Sequence, residues 1–177
     1  MLLNAKKIAF LGLLLAVTVL LIVLSGIIEF NTLFLLGAAS FCVGIAVRES
    51  SIRYGTGFYL GAILLGLILA PNKFYCITFA AMGFYILVVE YSFDRLANLK
   101  GNVGRSKLYW LIKYITFNVV YIPMVVFLPK LIYQGEINPI IAIIMLVAGQ
   151  AVLFVYDMAY RYFQCYIWGK LRNKLTL

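Results

Sequence analysis

The chain has 177 residues, 65% hydrophobic and 12% charged, with a mean hydropathy of +1.03. A water-soluble domain carries about 25% charged residues, so this composition excludes an ordinary soluble domain and points to a membrane protein. The net charge of +9 does not signal nucleic acid, because the basic residues are distributed by topology and suit anionic lipid headgroups.

Six apolar segments follow one another at roughly 8–28, 32–47, 54–70, 74–93, 108–128 and 138–160. About 20 apolar residues rising 1.5 Å each cross roughly 30 Å of hydrocarbon. The expected fold is therefore all-α: residues 1–177 form one domain, a compact bundle of six transmembrane helices. The first segment follows Lys6 and Lys7 as a signal peptide would. It is too long for such a peptide and lacks a small-residue cleavage site, so it reads as a retained helix.

The second and third segments are short and rich in small residues. Gly57–Gly61 and Ala62–Gly66–Ala70 form four-residue ladders, and Ser40–Gly44 and Gly12–Ala16 repeat the spacing. Residues four apart share a helix face, and small ones let membrane helices approach closely. Gly12, Ala16, Gly57, Gly61, Ala62 and Gly66 are thus candidates for docking a partner, with internal packing of helices one to three as the alternative. Pro71-Asn72-Lys73 marks a turn. The longest polar stretch runs from Asp94 to Lys107, and a second runs from Gln134 to Pro139. The sixth helix leads into an aromatic, basic end with Tyr156, Tyr160, Arg161, Tyr162, Tyr166 and Trp168.

Alternate connections differ sharply in charge. The two tails, the Arg48–Arg53 connection and the Arg95–Lys113 connection hold thirteen basic residues, against two (Lys73 and Lys130) in the others. Positive charge stays cytoplasmic, which places both termini inside a multi-pass protein of a bacterial-type plasma membrane.

Several chemistries lack their residues. There is no histidine, and the six acids (Glu29, Glu49, Glu90, Asp94, Glu136 and Asp157) form no catalytic or metal-binding motif. Neither a P-loop nor a CxxC pair occurs. Hence no enzyme activity, catalytic residue, metal site or cofactor is expected, and Cys42, Cys76 and Cys165 read as small buried hydrophobes. Polar groups at membrane depth are costly and each merits a role. Asp157 and Arg161, one turn apart, read as an ion pair. Glu90 is expected to meet Arg95 or another basic loop residue. Asn118 and Gln150, near mid-span, are either helix–helix hydrogen-bond partners or ligand contacts.

The opening Lys6-Lys7-Ile8-Ala9-Phe10-Leu11-Gly12-Leu13-Leu14-Leu15-Ala16 and the Gly/Ala-rich run from Leu33 to Pro71 resemble the S component of energy-coupling factor transporters. Its opening has the form KKIAxxGLLxA, with small residues four apart. The resemblance implies a vitamin- or micronutrient-capture subunit that docks on a transmembrane coupling subunit driven by ATPase subunits. No vitamin-specific signature follows residue 72. The six-span layout is also similar to that of the rod-shape-determining membrane protein, whose acidic, Gly-flanked motif is missing here. A non-transporting scaffold or assembly partner is the alternative function, and a small channel or lipid-modifying enzyme is a further option.

If the chain captures a small molecule from outside, its pocket belongs in the outer half. Topology assigns Glu29, Asn31, Tyr75, Thr78, Asn118, Tyr121 and Gln150 to that half. One carboxylate, tyrosine faces and amides suit a small, flat, neutral or weakly basic aromatic ligand.

Overall fold

The computed structural model describes residues 5–97, 104–127 and 138–175. Among them the fold is all-helical, and six helices are long and apolar enough to cross a membrane. They are α1 (Ala5–Ser25), α2 (Thr32–Glu49), α3 (Ile52–Leu69), α4 (Lys73–Ala97), α5 (Arg105–Phe127) and α6 (Pro139–Tyr162). A 3-10 turn, Glu29–Asn31, joins α1 to α2. Helix α6 passes through a π-helical turn, Phe163–Trp168, into α7 (Gly169–Leu175).

The boundaries depart from the sequence expectation mainly at the basic ends. Helix α4 runs to Ala97 and α5 starts at Arg105, because polar residues are helix-compatible once the chain leaves the hydrocarbon. The expectations for 98–103 and 128–137, including Lys100, Lys130 and Glu136, fall outside the described residues, as does the Lys174 side chain.

Local chemistry sets the turns. Ala70 is extended (φ −71°, ψ 134°), as a residue before proline must be, and this ends α3. The Asn72 side chain accepts the Phe74 N–H at 3.0 Å and helps start α4. Lys73 Nζ donates to the Leu67 carbonyl at 2.6 Å, satisfying an orphan acceptor at the end of α3. Thr18, Ser40 and Ser92 bond carbonyls one turn back, so their hydroxyls sit in apolar helices without orphaned donors.

Side-chain contacts fix which helix ends lie together. Phe10, near the start of α1, packs on Trp168 at 5.7 Å. Trp168 donates to Glu49 at the end of α2. Phe93, late in α4, meets Tyr109, early in α5, at 6.1 Å. At the opposite end Gly26 lies against Pro71, where an added methyl would sit 2.9 Å from the proline ring. Consecutive helices therefore alternate in direction, and the start of α1 and the π-turn share what we term the basic end.

Helices α2 and α4 are the buried centre. Leu36, Ala39, Val43, Ala46, Phe79, Ile86 and Val89 are essentially inaccessible. Helix α3 packs its Ala62–Gly66–Ala70 ladder inward, with Gly66 beside Ile22 and Cys76. Helix α5 is the least covered, burying only Lys113, Thr116 and Val125. Its interior Pro123 removes one backbone donor, which a membrane helix tolerates.

Candidate functional site

The charged side chains that this bundle buries most deeply lie toward the basic end. Asp157 on α6 and Lys113 on α5 are 0% and 1% exposed, and Nζ stands 2.6 Å from Oδ1. The Tyr85 hydroxyl donates to the same oxygen at 3.1 Å. Arg161 Nε lies 3.1 Å from Oδ2, outside hydrogen-bond geometry, so this second contact is Coulombic. Lys113 also sits 4.2 Å over the Tyr109 ring, a further stabilisation for a desolvated ammonium. One carboxylate thus serves two cations.

Glu90 on α4 forms a second centre. Arg48 on α2 grips it with Nε at 2.9 Å and Nη2 at 2.7 Å, the bidentate arrangement that favours Arg over Lys. Tyr160 on α6 donates to Glu90 at 2.6 Å, and Gln164 donates to the Tyr160 oxygen at 3.2 Å. Gly44 makes room: a methyl there would collide with the Tyr160 ring and hydroxyl. At the very end Glu49 accepts from Trp168 at 3.0 Å and pairs with Arg172 at 3.1 Å.

These three carboxylates tie α6 and the π-turn to α2 and α4. Sequence reasoning anticipated the Asp157–Arg161 pair but missed Lys113 and Tyr85. It counted Lys113, just inside the fifth segment, with the cytoplasmic set, whereas the side chain is buried, so one of the thirteen basic residues carries no weight in a topology count. Of the basic residues expected for Glu90, Arg95 or another from a loop, the partner is Arg48, while Arg95 lies over Tyr91 at 5.1 Å. The one available signal was spacing. Lys113 sits eight residues inside α5, about 12 Å from its start at Arg105, too deep for an unpaired lysine.

The structure brings together part of the predicted outer site. Asn118 and Gln150 bond each other, Gln150 Nε2 donating to Asn118 Oδ1 at 2.9 Å. Tyr121 donates to the Met145 carbonyl at 2.8 Å and stacks on Phe117 at 4.9 Å. Gly149 permits this close approach, since a methyl there would strike the Tyr121 ring. Tyr75 packs against the core of α1–α4, and Thr78 bonds back to the Phe74 carbonyl at 3.4 Å. Asn31 is exposed in the 3-10 turn, and the Glu29 side chain lies outside the described set. Among the described residues no hydrogen bond joins Asn31, Tyr75 or Thr78 to the α5–α6 group.

The predicted docking residues divide. Gly12, Ala16 and Gly57 are exposed, and nothing lies within 4 Å of a methyl added at Gly12 or Gly57. Gly61 is half-buried beside Leu15. Ala62 and Gly66 are buried and leave the docking face, because internal packing already uses them. An apolar cleft of about 420 Å³ opens between α1 and α3, lined by Ala16, Val19, Leu20, Val23, Leu24, Leu65 and Leu69. A second, of about 320 Å³, is lined by Met158, Arg161, Tyr162, Cys165 and Tyr166. Neither includes a predicted ligand residue. Cys42 and Cys76 are buried, but Cys165 is exposed, because it lies on the outer face of the π-turn. Among the described residues no group of side chains could hold a metal. No family model matches the chain, and neither a curated protein nor a solved structure matches it.

Proposed function

We propose that this chain is the substrate-capture subunit of a micronutrient uptake transporter, docking through α1 and α3 onto a transmembrane coupling subunit driven by ATPase subunits. It acts in the plasma membrane of a bacterial-type cell with both termini cytoplasmic. The observation that carries the docking part is the open space beside Gly12 and Gly57, with exposed Ala16 on the neighbouring turn of α1. Small residues left facing outward bring no packing to the bundle itself. They let another helix backbone approach closely. The adjoining apolar cleft between α1 and α3 adds a groove for side chains of that helix.

A second reading, a non-transporting scaffold, is favoured by the Asn118–Gln150 pair. Each amide already has its partner in the other, as helix–helix glue requires. Co-expression with a coupling subunit and its ATPases, followed by affinity purification and uptake of labelled vitamins, tests both. Capture of the whole complex with uptake supports the transporter reading. A stable complex with other membrane proteins and no uptake supports the scaffold. Absence of the coupling subunit from the purified material overturns the first proposal.

A further inference from the structure

We propose that the cleft beside Arg161 is a binding site for the headgroup of an anionic phospholipid. Three observations meet there. The first is charge. Asp157 is shared by Lys113 and Arg161, so one carboxylate faces two cations and the group retains one positive charge. Lys113 is sealed inside, whereas the Arg161 side chain is half exposed. The surplus charge is therefore presented at Arg161. Its terminal nitrogens have no hydrogen-bond partner among the described residues, and Nε lies 3.1 Å from Asp157 in Coulombic contact only. A guanidinium drawn toward the bundle at one edge, with its fork free, can offer that fork to a phosphate.

The second is shape. The cleft of about 320 Å³ is formed by Arg161 with Met158, Tyr162, Cys165 and Tyr166. Tyr162 and Tyr166 stack at 4.8 Å, and the Trp110 ring lies 5.7 Å from the Arg161 guanidinium carbon. Apolar and aromatic walls beside one cation match a lipid, which presents phosphate and acyl chain side by side. Tyr and Trp also favour the headgroup level.

The third is depth. Arg161 lies 22 residues beyond Pro139, about 33 Å along α6, and a hydrocarbon core is about 30 Å thick. A helix that enters the core at Pro139 therefore brings Arg161 out at the opposite headgroup layer. This is the basic end, where anionic lipid concentrates if that end faces the cytoplasm. The inference rests on the membrane-spanning reading but not on transport.

Native mass spectrometry of the purified chain, titrated with phosphatidylglycerol or phosphatidylcholine of identical acyl chains, tests it. The intact chain should retain phosphatidylglycerol preferentially. Arg161→Gln should lower that preference about fivefold, as expected for one basic residue at an anionic surface. Arg161→Lys should keep most of it. Lys6→Gln, at the exposed start of α1, should leave it unchanged. An unchanged preference in Arg161→Gln overturns the site, and an equal loss in Lys6→Gln reduces it to a diffuse surface field.

A measurement on the unmutated chain stands beside these. Cys165 lines the cleft while Cys42 and Cys76 are buried. Phosphatidylglycerol in nanodiscs should slow maleimide modification of Cys165 severalfold relative to phosphatidylcholine, and inorganic phosphate alone should not. Equal rates in the two lipids overturn the proposal, and protection by inorganic phosphate replaces the lipid with a free anion.

Discussion

Asp157 shows how a single buried carboxylate distributes risk among its neighbours. Removing its charge leaves Lys113, which is 1% exposed, as an uncompensated buried cation. Breaking a buried pair in this way costs about 3–5 kcal/mol. Removing Arg161 instead leaves a matched Lys113–Asp157 pair with Tyr85 still bonded, and the lost contact is half exposed and outside hydrogen-bond geometry. Exposed pairs contribute about 0–1 kcal/mol. Asp157→Asn is therefore expected to destabilise the bundle by about 3 kcal/mol or more, and Arg161→Gln by less than about 1 kcal/mol. Reversible unfolding in mixed micelles of increasing denaturing detergent measures both. Equal losses would overturn the assignment of Arg161 as a minor, exposed partner of Asp157.

Helix α3 separates two uses of small residues that spacing alone leaves superimposed. Its inward ladder ends at buried Ala70, and Gly66 touches Ile22 and Cys76. Gly57 faces open space, as does Gly12 on α1. Leucine at Gly66 would have to displace core side chains, and overpacking of this kind costs about 1–3 kcal/mol or more. At Gly57 an added Cβ has nothing within 4 Å among the described residues, so a leucine there is expected to point away from the bundle. Gly57→Leu should thus keep the wild-type unfolding midpoint yet lose a docked partner, while Gly66→Leu should lower the midpoint itself. Thermal melts of the purified variants, paired with pull-down, check this; a lowered midpoint in Gly57→Leu would mean that its face is internal. The existence and order of the six helices were legible in the sequence, because hydropathy over about 20 residues is a one-dimensional signal. The ladders were legible as spacing, but not which way they turn, since rotation about a helix axis is set by neighbours. The Glu90–Arg48 and Asp157–Lys113 pairs join residues 42 and 44 apart in the chain. No local pattern encodes such pairings, so the sequence offered Glu90 either Arg95 or another basic loop residue and could not single out Arg48.

At the scale of the whole molecule, the alternation of helix direction and the charge asymmetry make one claim about orientation, and the chain contains its own reporter for it. The described basic residues outside the bundle interior gather at one end, where Lys6, Lys7, Arg53, Lys107 and Lys170 are solvent-accessible to different degrees. The described lysine at the other end, Lys73, is bonded to the Leu67 carbonyl that closes α3. Burying or translocating the crowded end is the costlier choice, so it is expected to face the cytoplasm. Cys165 is exposed at that end, and Cys42 and Cys76 are buried. It lies 26 residues beyond Pro139, about 39 Å along the helix, past the roughly 30 Å of hydrocarbon and within reach of aqueous reagents. A membrane-impermeant maleimide should therefore leave the unmutated chain unlabelled in intact cells and label it in inside-out vesicles. Cys165→Ser should abolish the labelling in the vesicles, which assigns the signal to that thiol. Labelling of Cys165 in intact cells would invert the bundle. It would move the phospholipid cleft to the outer leaflet and turn the half of the bundle that holds Tyr121, Asn118 and Gln150 toward the cytoplasm, so that capture from outside would no longer be possible there.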